Sequence, residues 1–128
     1  MASGQLKYVE TDIVTASPAR LVLVLYEAGI ENILKAKKCI QAGDICGKGE
    51  HIGKAIDILS ELNKSLNMEK GKDLARNLES LYRYCVECMV SASIKIETAQ
   101  LDNALNVLCT LREGWETVLS KEASHAGV

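Results

Sequence analysis

The sequence predicts an all-α protein: an antiparallel up-and-down four-helix bundle preceded by a partly ordered N-terminal arm. Three observations carry this. Apolar residues recur at spacings of three and four in four separate segments, which is the helical period. A single proline and few aromatics, with no alternating run of Val, Ile and Thr between turn residues, argue against a sandwich or barrel. The links between the segments are a few residues each, and short links force neighbouring helices antiparallel.

The 128 residues suffice for one compact core and are too few for two. The expected division is a flexible arm over 1–14, the bundle over 15–120 and a flexible tail over 121–128. The first helix starts at Thr15-Ala16-Ser17-Pro18. There Ser17 caps the exposed amides of the first turn, and Pro18 loses nothing because its missing N–H had no partner. Its buried stripe is Val22, Leu25, Tyr26, Gly29, Ile33, Ala36 and Ile40, and Gly43 supplies the stop. The second stripe is Ile52, Ala55, Ile56, Leu59, Leu62 and Leu66. Gly47, Gly49 and Gly53 each cost a helix roughly 1 kcal/mol against alanine, so its beginning is expected to fray or come late. Asn67 to Lys72 reads as a loop, after which Asp73 favours the next helix N-terminus. The third stripe is Leu74, Leu78, Leu81, Cys85, Met89, Ala92 and Ile96. A break near Thr98 to Gln100 precedes the fourth: Leu101, Ala104, Leu108, Leu111, Trp115, Val118 and Leu119.

Two helices are more apolar than a bundle requires. Leu23, Ile30 and Leu34 flank the core stripe of the first, with Val24 near its polar side, and Tyr82, Val86, Val90 and Ile94 form a second line on the third. Apolar residues beyond the core stripe mark either extra packing within the bundle or a surface kept for a partner.

Composition limits the chemistry. A net charge of −2 gives no electrostatic footprint for nucleic acid or an anionic membrane, and Lys35, Lys37 and Lys38 share their helix with Glu27 and Glu31. The apolar run Leu21–Tyr26 is far too short to span a bilayer. No secretory signal is visible, and five cysteines without one point to reduced thiols in the cytoplasm. Cys85 and Cys88 form a Cys-x-x-Cys pair, but no second pair completes a zinc site, and a mid-helix position is wrong for a redox motif. They read as packing cysteines. Gly43–Lys48 resembles a phosphate-binding loop one residue short, without the following Ser or Thr and after a helix instead of a strand, and is rejected. His51 with Lys54 matches in outline the solvent-facing histidine of histidine phosphotransfer bundles, and phosphotransfer on His51 stands as the alternative reading. No metal, cofactor or active site is indicated.

Several stretches, in this order and spacing, resemble the FliS family of flagellin export chaperones from about Thr15 to Leu119. They are Thr15-Ala16-Ser17-Pro18 with Leu21, Leu25-Tyr26-Glu27-Ala28-Gly29, Leu66-Asn67-Met68-Glu69-Lys70-Gly71, Leu74-Ala75-Arg76-Asn77-Leu78, Leu81-Tyr82, and Leu108 through Leu111-Arg112-Glu113 to Trp115. The resemblance implies a non-enzymatic protein that binds the disordered C-terminal segment of flagellin, blocks premature polymerisation and presents it to the flagellar export apparatus. The expected partner-binding residues are Leu23, Tyr26, Ile30 and Leu34, then Tyr82, Val86, Val90 and Ile94. Leu6, Tyr8, Ile13 and Val14 of the arm are expected to cover part of the site until the partner displaces them. Self-assembly, a homodimer among its forms, is the competing use of the same surface.

Overall fold

A computed structural model of the chain describes residues 18–126, with side chains described through Lys121. Four helices fill that range: α1 (Pro18–Ala42), α2 (Ile45–Lys64), α3 (Met68–Lys95) and α4 (Ala99–Ala126). The packing seams run α1–α2, α2–α3, α3–α4 and α4–α1, closing a four-membered ring in which α2–α3 is the thinnest seam. Contacts pair the end of one helix with the start of its neighbour. Lys37 Nζ reaches Asp102 at 2.7 Å, and Lys48 Nζ reaches the Ser93 carbonyl at 2.8 Å. The bundle is antiparallel at every seam.

The ends of the helices follow from local chemistry. α1 is described from Pro18, and the expected cap Ser17 lies outside the described residues. It stops because Gly43 takes φ +74°, a conformation that costs glycine little. That turn lets the Asp44 amide close back on the Cys39 carbonyl at 2.8 Å. α2 then starts at once instead of late. Asp44 caps it, accepting from the Gly47 amide at 2.9 Å. Gly47 has a steric reason: a Cβ there would strike the Asp44 carboxylate and approach Cys39 Sγ to 2.7 Å. Gly49 and Gly53 have none, since a Cβ at either meets nothing within 4 Å.

The stretch expected to be a loop at Asn67–Lys72 is a capped turn and a kink. Asn67 Oδ1 accepts from the Lys70 amide at 3.0 Å, and Met68–Gly71 forms one helical turn. Lys72 breaks it with φ 47° and ψ −120°, and the long straight part of α3 follows from Asp73. At the far end Ile96 adopts the left-handed conformation, letting the Glu97 amide reach the Ala92 carbonyl at 3.3 Å. α4 continues past Lys121 to Ala126, through residues assigned to the tail.

The core is built from Tyr26, Ile30, Ile33 and Ala36 of α1, Ile52, Ala55, Leu59 and Leu62 of α2, Leu101, Ala104 and Leu108 of α4, and a stripe on α3. On α3 the stripe is Ala75, Leu78, Tyr82, Cys85, Cys88, Met89 and Ala92. Leu74, Leu81, Ile96 and Val118, expected inside, are exposed. Both cysteines of the Cys-x-x-Cys pair are buried, and burial pushes the Cys85 thiol up to about 12, so it packs as a neutral group. One lysine is also buried. Lys48 in the first turns of α2 lays its stem along the core and donates from Nζ to the Ser93 carbonyl at 2.8 Å, near the negative end of the α3 dipole.

Candidate functional site

Among the described residues two apolar depressions stand out on the surface, one along the α2–α3 seam and one at an end of the bundle. The first runs down α3. Val86 is half-buried, Val90 is 43% exposed and Ile94 is 76% exposed, and the three line a shallow depression with Glu87, Ser91 and Lys95 at its margin. Val86 also joins Ile56 and Leu59 of α2 in the adjoining groove, where Glu79 and Arg83 form the polar edge. Together they make an apolar rail along the thinnest seam.

The helical repeat explains why this line surfaces. Four residues turn an α-helix by about 400°, so a line of spacing four drifts by roughly 40° per step. Tyr82 at its upper end, 3% exposed, belongs to the core, whereas Ile94 at its lower end faces out.

The second feature is a cleft of about 360 Å³ at the end where α1 begins. Leu21, Val22 and Leu25 of α1, Leu66 of the α2–α3 link, Gly71, Leu74 and Leu78 of α3, and Trp115 of α4 line it. Its floor is a buried polar chain across three helices. The Trp115 Nε1–H donates to the Tyr26 hydroxyl at 3.0 Å, and the Tyr26 and Tyr82 hydroxyls share a hydrogen bond of 2.7 Å. Burial raises both phenols above their usual range, so they hold the bond as neutral groups. The sequence motifs contain all of these residues except Val22, yet nothing in the periodicity pointed to a cleft, because it forms only where three helix ends and a kinked link converge.

The residues expected to bind a partner divide accordingly. Val86, Val90 and Ile94 come together on the rail. Tyr26, Ile30 and Tyr82 do not face outward: all three are buried, the tyrosines because each supplies the other's hydroxyl partner. Leu23 is half-buried and Leu34 is 45% exposed. They sit on the flank of α1 that turns toward α4, as the Lys37–Asp102 pair on the same flank shows, while the rail lies on the α2 side of α3. The two sets therefore occupy opposite sides of the bundle and do not form one groove. Leu6, Tyr8, Ile13 and Val14 lie outside the described residues.

The alternative site dissolves. His51 is half-buried in the α1–α2 seam with Nδ1 3.3 Å from Asn32 Oδ1, and Lys54 pairs with Glu50 at 3.3 Å. A histidine engaged against a neighbouring helix is not the solvent-facing imidazole that phosphotransfer needs. Among the described residues no group of three or more His, Cys, Asp or Glu side chains is placed to hold a metal ion. No helix among them is long and apolar enough to cross a membrane.

Comparison with known proteins agrees with this architecture. A solved structure described as a flagellar chaperone from bacteria superposes with a TM-score of 0.77 over 94% of this chain and 98% of that one. At 24% identity it speaks for the fold alone. The flagellar secretion chaperone FliS of Vibrio cholerae is 34% identical over 110 residues, covering 86% of this chain and 81% of that protein. FliS of Salmonella typhimurium is 29% identical over 114 residues, 88% of this chain and 84% of its own length. Residues 1–122 match the family described as flagellar protein FliS, so the chain belongs to the FliS family, the non-enzymatic flagellar secretion chaperones.

Proposed function

We propose that this chain binds the disordered C-terminal segment of flagellin in the bacterial cytoplasm, holds it back from polymerisation and hands it to the flagellar export apparatus. The observation that supports this reading is the apolar rail of Val86, Val90 and Ile94 beside Ile56, which no other described residue covers. A segment that polymerises through its own apolar faces is kept soluble by covering those faces, and amphipathic helices in grooves between helices do so. Ordering such a segment costs about 2–5 kcal/mol or more, which is offset only by burying on the order of 1,000–3,000 Å². That area exceeds what any single depression on this surface offers. The guest therefore spans several features: the rail, the end cleft, and the flank carrying Leu23 and Leu34.

Val90→Asp and Ile94→Asp replace exposed side chains and leave the core untouched. Each is expected to weaken binding of a flagellin C-terminal peptide by at least about ten-fold with the helical circular dichroism unchanged. Wild-type affinity in both variants removes the rail from the site. Self-association is the competing use of the rail, and sedimentation of the chain without flagellin reads it directly.

A further inference from the structure

The first turn of α3 is set apart from the rest of its helix, and the residues at its two ends, Asn67 and Gly71, line the end cleft. Met68–Gly71 is helical, Lys72 is not, and Asp73 resumes the helix in a new direction. Lys72 sits at φ 47° and ψ −120°, the geometry of the first central residue of a type II′ turn, where glycine is the normal occupant. An L-residue held there is strained. The bend also crowds its neighbour. A Cβ at Gly71 would lie 2.7 Å from Ala75 Cβ, whereas residues four apart on a straight helix keep their Cβ atoms about 6 Å apart. Leu66, Asn67 and Gly71 thereby face Pro18, Ala19 and Leu21 across the cleft, and Leu74 is left 66% exposed at its lip.

We infer that Met68–Gly71 is a hinged lip of the end cleft, bent inward at Lys72 and able to swing out by straightening into α3. The strain at Lys72 opposes the bent state, while the Asn67 cap travels with the turn in either state. The two states therefore lie close enough in energy for an apolar segment entering the cleft to choose between them. The choice of flagellin as that segment rests on the function proposed above; the hinge itself does not.

Two substitutions push the hinge in opposite directions. Lys72→Gly relieves the strain and favours the bent lip. Gly71→Ala introduces the clash with Ala75 that only the bent form suffers, and adds helix propensity, so it favours the straight one. The full chain and both variants are titrated with the apolar dye 1-anilinonaphthalene-8-sulfonate and, separately, with flagellin C-terminal peptide. Emission of Trp115, the one tryptophan and a cleft-lining residue, is followed in parallel. Dye binding and peptide affinity are expected to rank Gly71→Ala above wild type above Lys72→Gly, with steps of about five-fold or more. Equal dye binding across the folded proteins overturns the hinge, and Lys72→Gly alone decides the matter if the other variant fails to fold. Ranked dye binding with no peptide binding to any of the three supports the hinge and overturns the flagellin reading instead.

Discussion

The glycines of α2 give a sharp quantitative test, because three residues of one type in one helix are expected to respond differently to the same change. Gly49→Ala and Gly53→Ala place a methyl where nothing lies within 4 Å. Each recovers the helix penalty of glycine, about 0.5–1 kcal/mol, with no new contact to strain. Gly47→Ala places the same methyl against the Asp44 carboxylate and 2.7 Å from Cys39 Sγ. Asp44 must then give up its bond to the Gly47 amide, and loss of such a cap costs about 1 kcal/mol. That loss cancels the propensity gain, and displacement of Cys39 adds to the cost. For a chain of 128 residues, 1 kcal/mol moves the midpoint of thermal unfolding by about 3–4 °C. The Gly49→Ala/Gly53→Ala double variant should therefore melt roughly 3–8 °C above wild type. Gly47→Ala should melt below it. Thermal and urea denaturation followed by far-ultraviolet circular dichroism measure both. Three substitutions of the same sign would refute the placement of Gly47 against the α1 C-terminus.

Other consequences follow from the buried polar groups. Tyr26→Phe removes the shared hydroxyl and leaves Trp115 Nε1–H and the Tyr82 hydroxyl without their partner, a cost of about 1–3 kcal/mol in urea denaturation. The same two phenols set a pH limit. Their folded pKa values are raised and an unfolded tyrosine titrates near 10, so their contribution is complete below about pH 10 and is lost as pH rises above it. Tyrosinate absorbance of Tyr26 and Tyr82 should accordingly appear only with alkaline unfolding. Lys48→Met keeps the apolar stem but removes the ammonium from the Ser93 carbonyl, and is expected to cost about 1–2 kcal/mol. An unchanged unfolding midpoint would show that the α3 terminus is capped equally well by water.

The helices were legible because each carries its own period and punctuation. Gly43 ends α1 by taking a positive φ that costs glycine little, a backbone constraint visible in the sequence itself. Which apolar line faces inward was less legible on α3. Leu81 and Tyr82 are about 100° apart on the helix, and both lines are apolar. Tyr82 is inside because Tyr26, 56 positions away in the chain, offers its hydroxyl a partner. That pairing is tertiary and leaves no local trace. The start of α2 was obscured for a similar reason. Propensity penalises Gly47, but the close approach of Cys39 and Asp44 requires it. At the candidate site, Val86, Val90 and Ile94 could be picked out because surplus apolar residues on an amphipathic helix are visible in the sequence. The kink at Lys72 could not, since a lysine at positive φ carries no composition signal.

The proposal that uncovered apolar surface receives an unstructured flagellin segment is tested most directly by calorimetric titration of the C-terminal peptide at several temperatures. Burial of 1,000–3,000 Å² of mixed surface predicts a heat-capacity change of roughly −0.2 to −0.5 kcal/mol/K, together with a gain of helical signal in the peptide. Absence of binding, or binding with a heat-capacity change near zero, would contradict it.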